Sequence, residues 1–317
     1  MTVRLSIVLL ALFAVSRARG ANGLDPKVAG FTVSLYGESS PYRETSAFVL
    51  PGATTTLEAI GGPAGKYSLT AKHGIALQRA VRQWRYTAPT RPGLYKLKVD
   101  GPSPTDSIDI HLFVMVPASR VKGGQLNGYL IGNYPAPAPN VSSRYAPPKG
   151  FVEVTKDNQD THVSPHFRLK QFVCKQEPAK AFPKYIVLEE RLILKLEAIL
   201  EHVNHLGFSV DTLHVMSAYR TPYYNAAIGD VKYSMHQWGR AADIYVDPKD
   251  NDQMADLTRD GRIDLDDASF LYDRIDEQFA SAPLSKLEGG LGFYPATAAH
   301  PPFVHVDVRG TRARWKG

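Results

Sequence analysis

Residues 234–247 read SMHQWGRAADIYVD, a turn followed by an apolar strand. His236 precedes the turn and Asp243 lies on the strand, with six residues between them. Gly239 and the pair Ala241–Ala242 are small, so the chain can pass close to an ion without a clash. The stretch therefore predicts a turn and a strand that bring a histidine and a carboxylate to one metal ion.

A second histidine comes from FVHVDV, residues 303–308. Because side chains alternate along a strand, His305 shares a face with Asp307. Two histidines and one carboxylate form a ligand set that zinc accepts, with a fourth position left for water. The predicted zinc ligands are His236, Asp243 and His305.

The remainder of residues 161–317 predicts an α+β domain with a small antiparallel sheet. In VLEERLILKLEAILEHVNHLG, residues 187–207, apolar residues recur every three or four positions, which is typical of a core-facing helix that ends at Gly207. TLHVMSAYR, RAADIYVD and FVHVDVRG predict three strands.

The N-terminal half has a different composition. Residues 21–118 contain short apolar or alternating runs, such as FTVSLYG and TTTLEAIGG, and predict a β-sandwich module. At fold level this module resembles bacterial immunoglobulin-like domains. His73 and His111 are interpreted as ordinary surface or sheet residues, and the partner of the module is unknown. Residues 119–160 are rich in Pro and Gly and predict an extended linker.

The first 20 residues, MTVRLSIVLLALFAVSRARG, predict a secretory signal peptide. Arg4 precedes an apolar core from Leu5 to Val15, and Ala18 and Gly20 supply the small residues of a cleavage site. A membrane anchor is the alternative, but the run is shorter than the roughly 20 residues that span a bilayer. We expect export to the periplasm, the cell envelope or the medium, with no membrane span in the mature chain.

Composition excludes other classes of protein. The 317 residues are 44% hydrophobic and 21% charged, an ordinary globular composition with room for two domains. The net charge of +6 includes three arginines of the leader, so the mature chain carries about +3, too little to argue for a nucleic-acid partner. The single cysteine, Cys174, excludes an intramolecular disulfide and a cysteine-cluster metal site.

The C-terminal motifs together resemble the zinc D-alanyl-D-alanine carboxypeptidases, which share a fold with VanX-type dipeptidases, lysostaphin-type endopeptidases and the hedgehog domain. The pattern S-x-H-x(6)-D with a later histidine matches Ser234, His236, Asp243 and His305.

Three further segments carry the resemblance, which covers residues 160–317. SAYRTPYYNAAIG, residues 217–229, is similar to the family's S-x-Y-R-[ST] segment. HFRLKQFVCK, residues 166–175, and GGLGFYP, residues 289–295, resemble the branch whose final strand reads F-V-H-V-D.

The resemblance implies roles for the surrounding residues. Zinc lowers the pKa of its bound water to about 7 and polarises a carbonyl. Arg220 would stabilise an oxyanion or hold a substrate carboxylate, and the alternative is a plain salt bridge. Ser234 and Tyr219 are the substrate-binding candidates. For Tyr219, core packing is an equal alternative.

The general base is the open point. Many family members carry an acid three residues before the second histidine, where this chain has Pro302. Asp307 is assigned as the base or as a residue that orients His305. A rival assignment makes Asp307 the ligand and His305 the base, and His300 is a further candidate.

A second metal site is predicted in DLTRDGRIDLDD, residues 256–267, which resembles a dockerin-type calcium loop. Gly261 stands at the sharp turn, and ASFLYDRIDEQF would be the exiting helix. The alternative is an acidic, solvated loop. The candidate calcium-loop residues are Asp256, Thr258, Asp260, Arg262, Asp264 and Asp267.

The sequence thus predicts an exported zinc metallopeptidase that hydrolyses peptide bonds of peptidoglycan stem peptides, as a D,D-carboxypeptidase or an endopeptidase. An inactive, zinc-containing module that binds the cell wall is the alternative. A metal-free binding protein is a third reading, which the intact ligand set disfavours.

Overall fold

The computed structural model describes residues 24–25, 27–103, 105–136, 145–178, 181–280 and 282–317. The predicted leader lies outside these residues. No helix in the described part of the chain is long and apolar enough to cross a membrane.

Nine strands of the N-terminal module form two sheets around one core. The strands are β1 (Val28–Leu35), β2 (Glu38–Tyr42), β3 (Glu44–Val49), β4 (Thr54–Ile60), β5 (Ser68–Ala71), β6 (Ile75–Ala80), β7 (Gln83–Thr87), β8 (Gly93–Asp100) and β9 (Ser107–Val114). The sheet orders are β2-β1-β4-β7-β6 and β3-β9-β8-β5. Alternating residues of both sheets, among them Leu57, Trp84 and Leu97, are buried in the shared core. These two layers agree with the predicted sandwich, while an immunoglobulin-like topology stays a prediction.

The C-terminal part has three helices within the described residues: α1 (Glu190–His205), α2 (Pro222–Ala227) and α3 (Leu265–Phe279). Short 3-10 helices span Ala118–Arg120, Leu169–Phe172, Met235–Trp238 and Ala282–Leu287. The strands are β10 (Val116–Pro117), β11 (Gln125–Leu126), β12 (Tyr129–Leu130), β13 (Gly150–Val154), β14 (His162–Ser164), β15 (Phe167–Arg168), β16 (Lys184–Ile186), β17 (His214–Ser217), β18 (Ala241–Tyr245), β19 (Gly290–Tyr294), β20 (Phe303–Asp307) and β21 (Ala313–Lys316).

The α+β class is confirmed, with sheet dominating. The predicted helix is α1, whose apolar face carries fully buried residues such as Leu192, Leu196 and Ile199. The main C-terminal sheet has the order β17-β18-β20-β19-β21. It was predicted as antiparallel, which the pairs β17–β18, β18–β20 and β19–β20 confirm, but β21 pairs parallel with β19. Strands β18 and β20 are buried along their whole length, which places the metal-binding motifs at the centre of this sheet.

The stretch predicted as a linker contributes to the C-terminal core. Leu126, Ile131 and Phe151 are at most 1% exposed and pack in the same hydrophobic cluster as α1. Strand β13 pairs with β10 and β16. The described part of residues 119–160 is therefore not a free spacer, and the exact domain boundary stays a prediction.

The N-terminal module packs directly against α1. The Tyr42 hydroxyl donates to Glu201 Oε1 at 2.8 Å, and the Phe48 amide donates to Glu190 Oε1 at 3.0 Å. Ser46 Oγ donates to the Val163 carbonyl at 2.8 Å. Polar contacts thus fix the sandwich to α1 and, through Val163, to β14.

The burial of Glu190 and Glu201 in this contact makes stability depend on pH. Burial raises the pKa of Glu190 and of Glu201 to about 7. Because the folded state holds these protons more tightly than the unfolded state, their contribution is full below about pH 4.5 and is lost as the pH rises through 7. Both side chains retain some exposure, so we expect a loss on the order of 1 kcal/mol each. Urea unfolding at pH 5 and pH 8 measures it, and the double variant Glu190→Gln, Glu201→Gln should show a smaller change. An equal change in both proteins would contradict the assignment.

Candidate metal centre

Three predicted ligands meet at one point. His236 comes from the 3-10 helix before β18, and Asp243 and His305 are register partners on β18 and β20. His236 Nε2 lies 3.2 Å from His305 Nδ1 and 3.2 Å from Asp243 Oδ1, and His305 Nδ1 lies 2.9 Å from the same oxygen. The three residues are 2%, 3% and 8% exposed. We call this group the His-Asp-His triangle.

Groups outside the triangle orient its histidines. His236 Nδ1 lies 2.6 Å from the Ala218 carbonyl oxygen. A carbonyl only accepts, so Nδ1 carries the proton and Nε2 presents its lone pair inward. His305 Nε2 faces Asp307 Oδ2 at 3.4 Å, which leaves Nδ1 directed into the triangle. Such outer partners are typical of metal-ligating histidines.

The donor set fits a divalent cation. Two imidazole nitrogens and a carboxylate oxygen within 3.2 Å repel one another unless a proton or a cation lies between them. Burial lowers the pKa of His236. Burial alone would raise the pKa of Asp243, but the two histidines outweigh it and hold that pKa well below its usual range. A neutral histidine beside an ionised carboxylate suits zinc.

Arg220 holds the outer oxygen of the aspartate. Its Nη2 donates to Asp243 Oδ2 at 2.5 Å, its Nη1 to Asp230 at 2.7 Å and its Nε to Ser217 Oγ at 2.9 Å. The guanidinium thereby leaves Asp243 Oδ1 for the triangle. A direct contact of Arg220 with substrate stays a prediction.

Asp307 is not part of the triangle. It is fully buried and accepts from the Gly290 amide at 2.7 Å and from Arg309 Nε at 2.8 Å. Burial opposes ionisation, but His305 and Arg309 outweigh it and hold the pKa of Asp307 far below its usual range. The geometry therefore does not support Asp307 as the ligand. His300 also lies elsewhere, with its Nδ1 2.9 Å from the Pro301 carbonyl oxygen.

Two supporting residues were missed at the sequence level. Arg309 stands two positions after Asp307, just beyond the end of β20, so its spacing was a usable signal for their pairing. Lys195 lies on the apolar face of α1, is 2% exposed and donates to the Asp307 carbonyl at 2.9 Å. Burial lowers the pKa of Lys195 to about 8. Nothing in the periodicity of the helix indicates this contact.

The two substrate-binding candidates lie in different surroundings. Ser234 is 7% exposed and precedes the helix of His236. Tyr219 is 1% exposed, and its hydroxyl lies 3.0 Å from that of Tyr134. The structure thus places Tyr219 in the core and does not bring its hydroxyl to the triangle.

Gly239 shapes the turn that delivers His236. Its φ is +64°, and a Cβ there would meet the Val187 backbone. We expect Gly239→Ala to destabilise the fold by about 3 kcal/mol, since both the left-handed backbone and the collision oppose it. Gly310→Ala is the matched control, because Gly310 has φ +79° and nothing within 4 Å, and should cost only about 1 kcal/mol. Urea unfolding compares them, and equal losses would show that the contact with Val187 is unimportant.

The calcium prediction is not supported. The carboxylate of Asp267 accepts from the amides of Leu257, Thr258 and Asp264, and Asp256 accepts from Gly261. Within residues 256–267, no three acidic side chains converge as a metal-binding group. The carboxylates instead fold the loop and start α3 through a capping box, which explains why the spacing resembles a calcium loop.

Comparison with known proteins agrees with the triangle. Residues 165–266 match the family model of peptidase M15. The matched stretch includes His236, Asp243 and Arg220, and it supports an M15-type zinc peptidase in the C-terminal part of the chain. M15 peptidases are zinc-dependent, and the family indicates activity on peptidoglycan-type substrates. No curated protein and no solved structure matches the chain significantly.

Proposed function

We propose that this protein is an exported zinc peptidase that hydrolyses peptide bonds in peptidoglycan stem peptides, of the D,D-carboxypeptidase or endopeptidase type. The observation that carries the proposal is the buried His-Asp-His triangle, with its three donor atoms within 3.2 Å and each residue oriented from outside. Export rests on the leader, residues 1–20, and the substrate class rests on the family match.

His236, Asp243 and His305 would hold the zinc. When bound there, zinc lowers the pKa of a water molecule and polarises a carbonyl. The chain contributes orientation: the Ala218 carbonyl fixes the tautomer of His236, and Arg220 fixes the carboxylate of Asp243. Burial lowers the effective dielectric constant around the donor atoms, which strengthens each electrostatic contact.

Asp307 acts in this proposal as the residue that orients His305, and it is not the base. Its carboxylate faces His305 Nε2, on the side of the ring opposite to Asp243, and it already accepts from Gly290 and Arg309. A base must reach the water that it deprotonates. Asp307 lies behind the histidine and cannot do so without breaking these bonds.

A second candidate function is a zinc-containing binding module without turnover. Two observations favour it. Proline stands at position 302, where many members of the resembled family carry an acid, and the Asp307 carboxylate already accepts from Gly290 and Arg309. Such a module would keep the fold and the metal and recognise the same peptides.

Metal analysis and digestion separate these functions. We expect the purified protein to contain about one zinc per chain and to release new peptide ends from purified peptidoglycan, with both lost in His236→Ala. Mass spectrometry of the products shows whether a terminal D-amino acid or a cross-link is cut. Zinc without turnover would favour the binding module, and a protein that binds no zinc would overturn both.

A further inference from the structure

The β6–β7 hairpin of the N-terminal module exposes aliphatic side chains. Ile75, Leu77 and Val81 are 59%, 49% and 69% exposed. In the described part of residues 24–118, no other large apolar side chain is as exposed as these three. Isolated exposed aliphatics are ordinary, but three on one hairpin mark a contact surface.

The hairpin lies within a strongly basic stretch of the chain. Residues 59–99 contain eight lysines and arginines and no acid. The whole chain has 37 basic and 31 acidic residues, so outside this segment the acids exceed the bases by two. Within the described residues, no ion pair involves Lys72, Arg79 or Arg85, although Arg82 is bonded to the carbonyls of Gly61 and Pro63. We call residues 72–87 the basic hairpin.

Charge and aliphatic groups lie on the same outer face. Leu77 pairs with Arg85 and Ile75 with Thr87 across the hairpin. Directly paired residues share a face, and Tyr86, which lies between Arg85 and Thr87, is buried in the core. Arg85, Leu77 and Ile75 therefore point outward together.

The basic hairpin lies at the sheet edge remote from the peptidase part. Strand β6 ends the order β2-β1-β4-β7-β6, whereas β2 and β3, at the other edge of the sandwich, contact α1. A partner can therefore cover β6 without displacing α1. Basic residues on an edge strand also discourage strand pairing, but that purpose does not require exposed isoleucine, leucine and valine.

We propose that the basic hairpin docks on the surface of an anionic lipid bilayer. Lysine and arginine would lie among the headgroups while the three aliphatic side chains enter the acyl boundary. A glycan partner would instead use exposed aromatic rings, and both aromatic residues of the hairpin, Trp84 and Tyr86, are buried. The proposal does not depend on the activity of the metal centre.

Vesicle sedimentation tests the proposal with the full chain. We expect binding to phosphatidylglycerol vesicles, no binding to phosphatidylcholine vesicles, and weakening by salt. The cation variant (Lys72→Gln, Arg79→Gln, Arg85→Gln) should bind about 100-fold more weakly. The aliphatic variant (Ile75→Ser, Leu77→Ser, Val81→Ser) should lose about tenfold or more.

Matched controls carry the same changes elsewhere. Lys149→Gln, Lys156→Gln, Lys249→Gln removes three other exposed charges, and Ile228→Ser, Val231→Ser removes two other exposed aliphatics. Both controls should bind like the parent. If the charge control lost vesicle binding to the same extent as the cation variant, binding would depend on net charge alone, and the proposal would be overturned. Normal vesicle binding by the aliphatic variant, with full competition by soluble polyphosphate, would point to an anionic polymer and overturn it as well.

Discussion

Replacement of Asp243 by alanine is expected to remove bound zinc and, with it, all peptide hydrolysis. Asp243 offers Oδ1 to both histidines of the triangle, at 3.2 Å and 2.9 Å. Loss of an outer partner of a metal ligand costs roughly 10–100-fold in affinity or activity. Loss of a ligand should exceed about 100-fold in zinc affinity.

Two further variants make this result interpretable. Asp243→Asn keeps the shape of the side chain but not its charge, so it should retain the fold and still bind zinc poorly. Asp273→Ala, an exposed aspartate on α3, should leave zinc content and turnover unchanged. Metal analysis after dialysis, with the melting temperature as a check on folding, gives the answer. A folded Asp243→Ala protein that retains stoichiometric zinc would contradict the ligand assignment.

The convergence of the triangle follows from local sequence. A turn with Gly239 precedes a strand with Asp243, and a later strand with His305 must pair with it to complete the sheet. The turn at Gly239 and the alternation of side chains along each strand decide where the three side chains point. The sequence could therefore place together three residues that lie far apart in the chain. The family match through residue 266 ends before His305, whose position beside Asp243 is given by the strand register.

What the sequence could not predict depends on long-range packing. Tyr219 follows a strand that enters the core, and only the arrival of Tyr134 from another segment explains its buried hydroxyl. The calcium motif failed for a similar reason, because the same acidic spacing also suits a loop whose carboxylates accept backbone amides. Leu126 and Phe151 lie in a Pro- and Gly-rich stretch, where composition masked their contribution to the core.

The role of Asp307 can be decided by Asp307→Asn. With its oxygen in the place of Oδ1, asparagine still accepts from Gly290 and from Arg309 Nε, but the amide nitrogen in the place of Oδ2 cannot accept from His305 Nε2 or from Arg309 Nη2. If Asp307 orients His305, zinc affinity should fall by roughly 10–100-fold, and turnover should return when zinc is supplied in excess. If Asp307 were the base, zinc affinity would be nearly unchanged and turnover would stay low at any zinc concentration.

A conservative variant of Arg309, the ion-pair partner of Asp307, tests the same orienting role. Arg309 Nε and Nη2 lie 2.8 Å and 2.5 Å from Asp307 Oδ2. Arg309→Lys keeps the positive charge but loses this paired contact, so it should lower zinc affinity less than Asp307→Asn and be rescued by the same zinc concentrations. Arg309→Ala leaves a buried carboxylate without its counter-charge and should also destabilise the fold by about 3 kcal/mol. A loss of turnover in Arg309→Lys that excess zinc does not restore would argue that the pair acts on substrate directly, because orientation of His305 alone is repaired by filling the site.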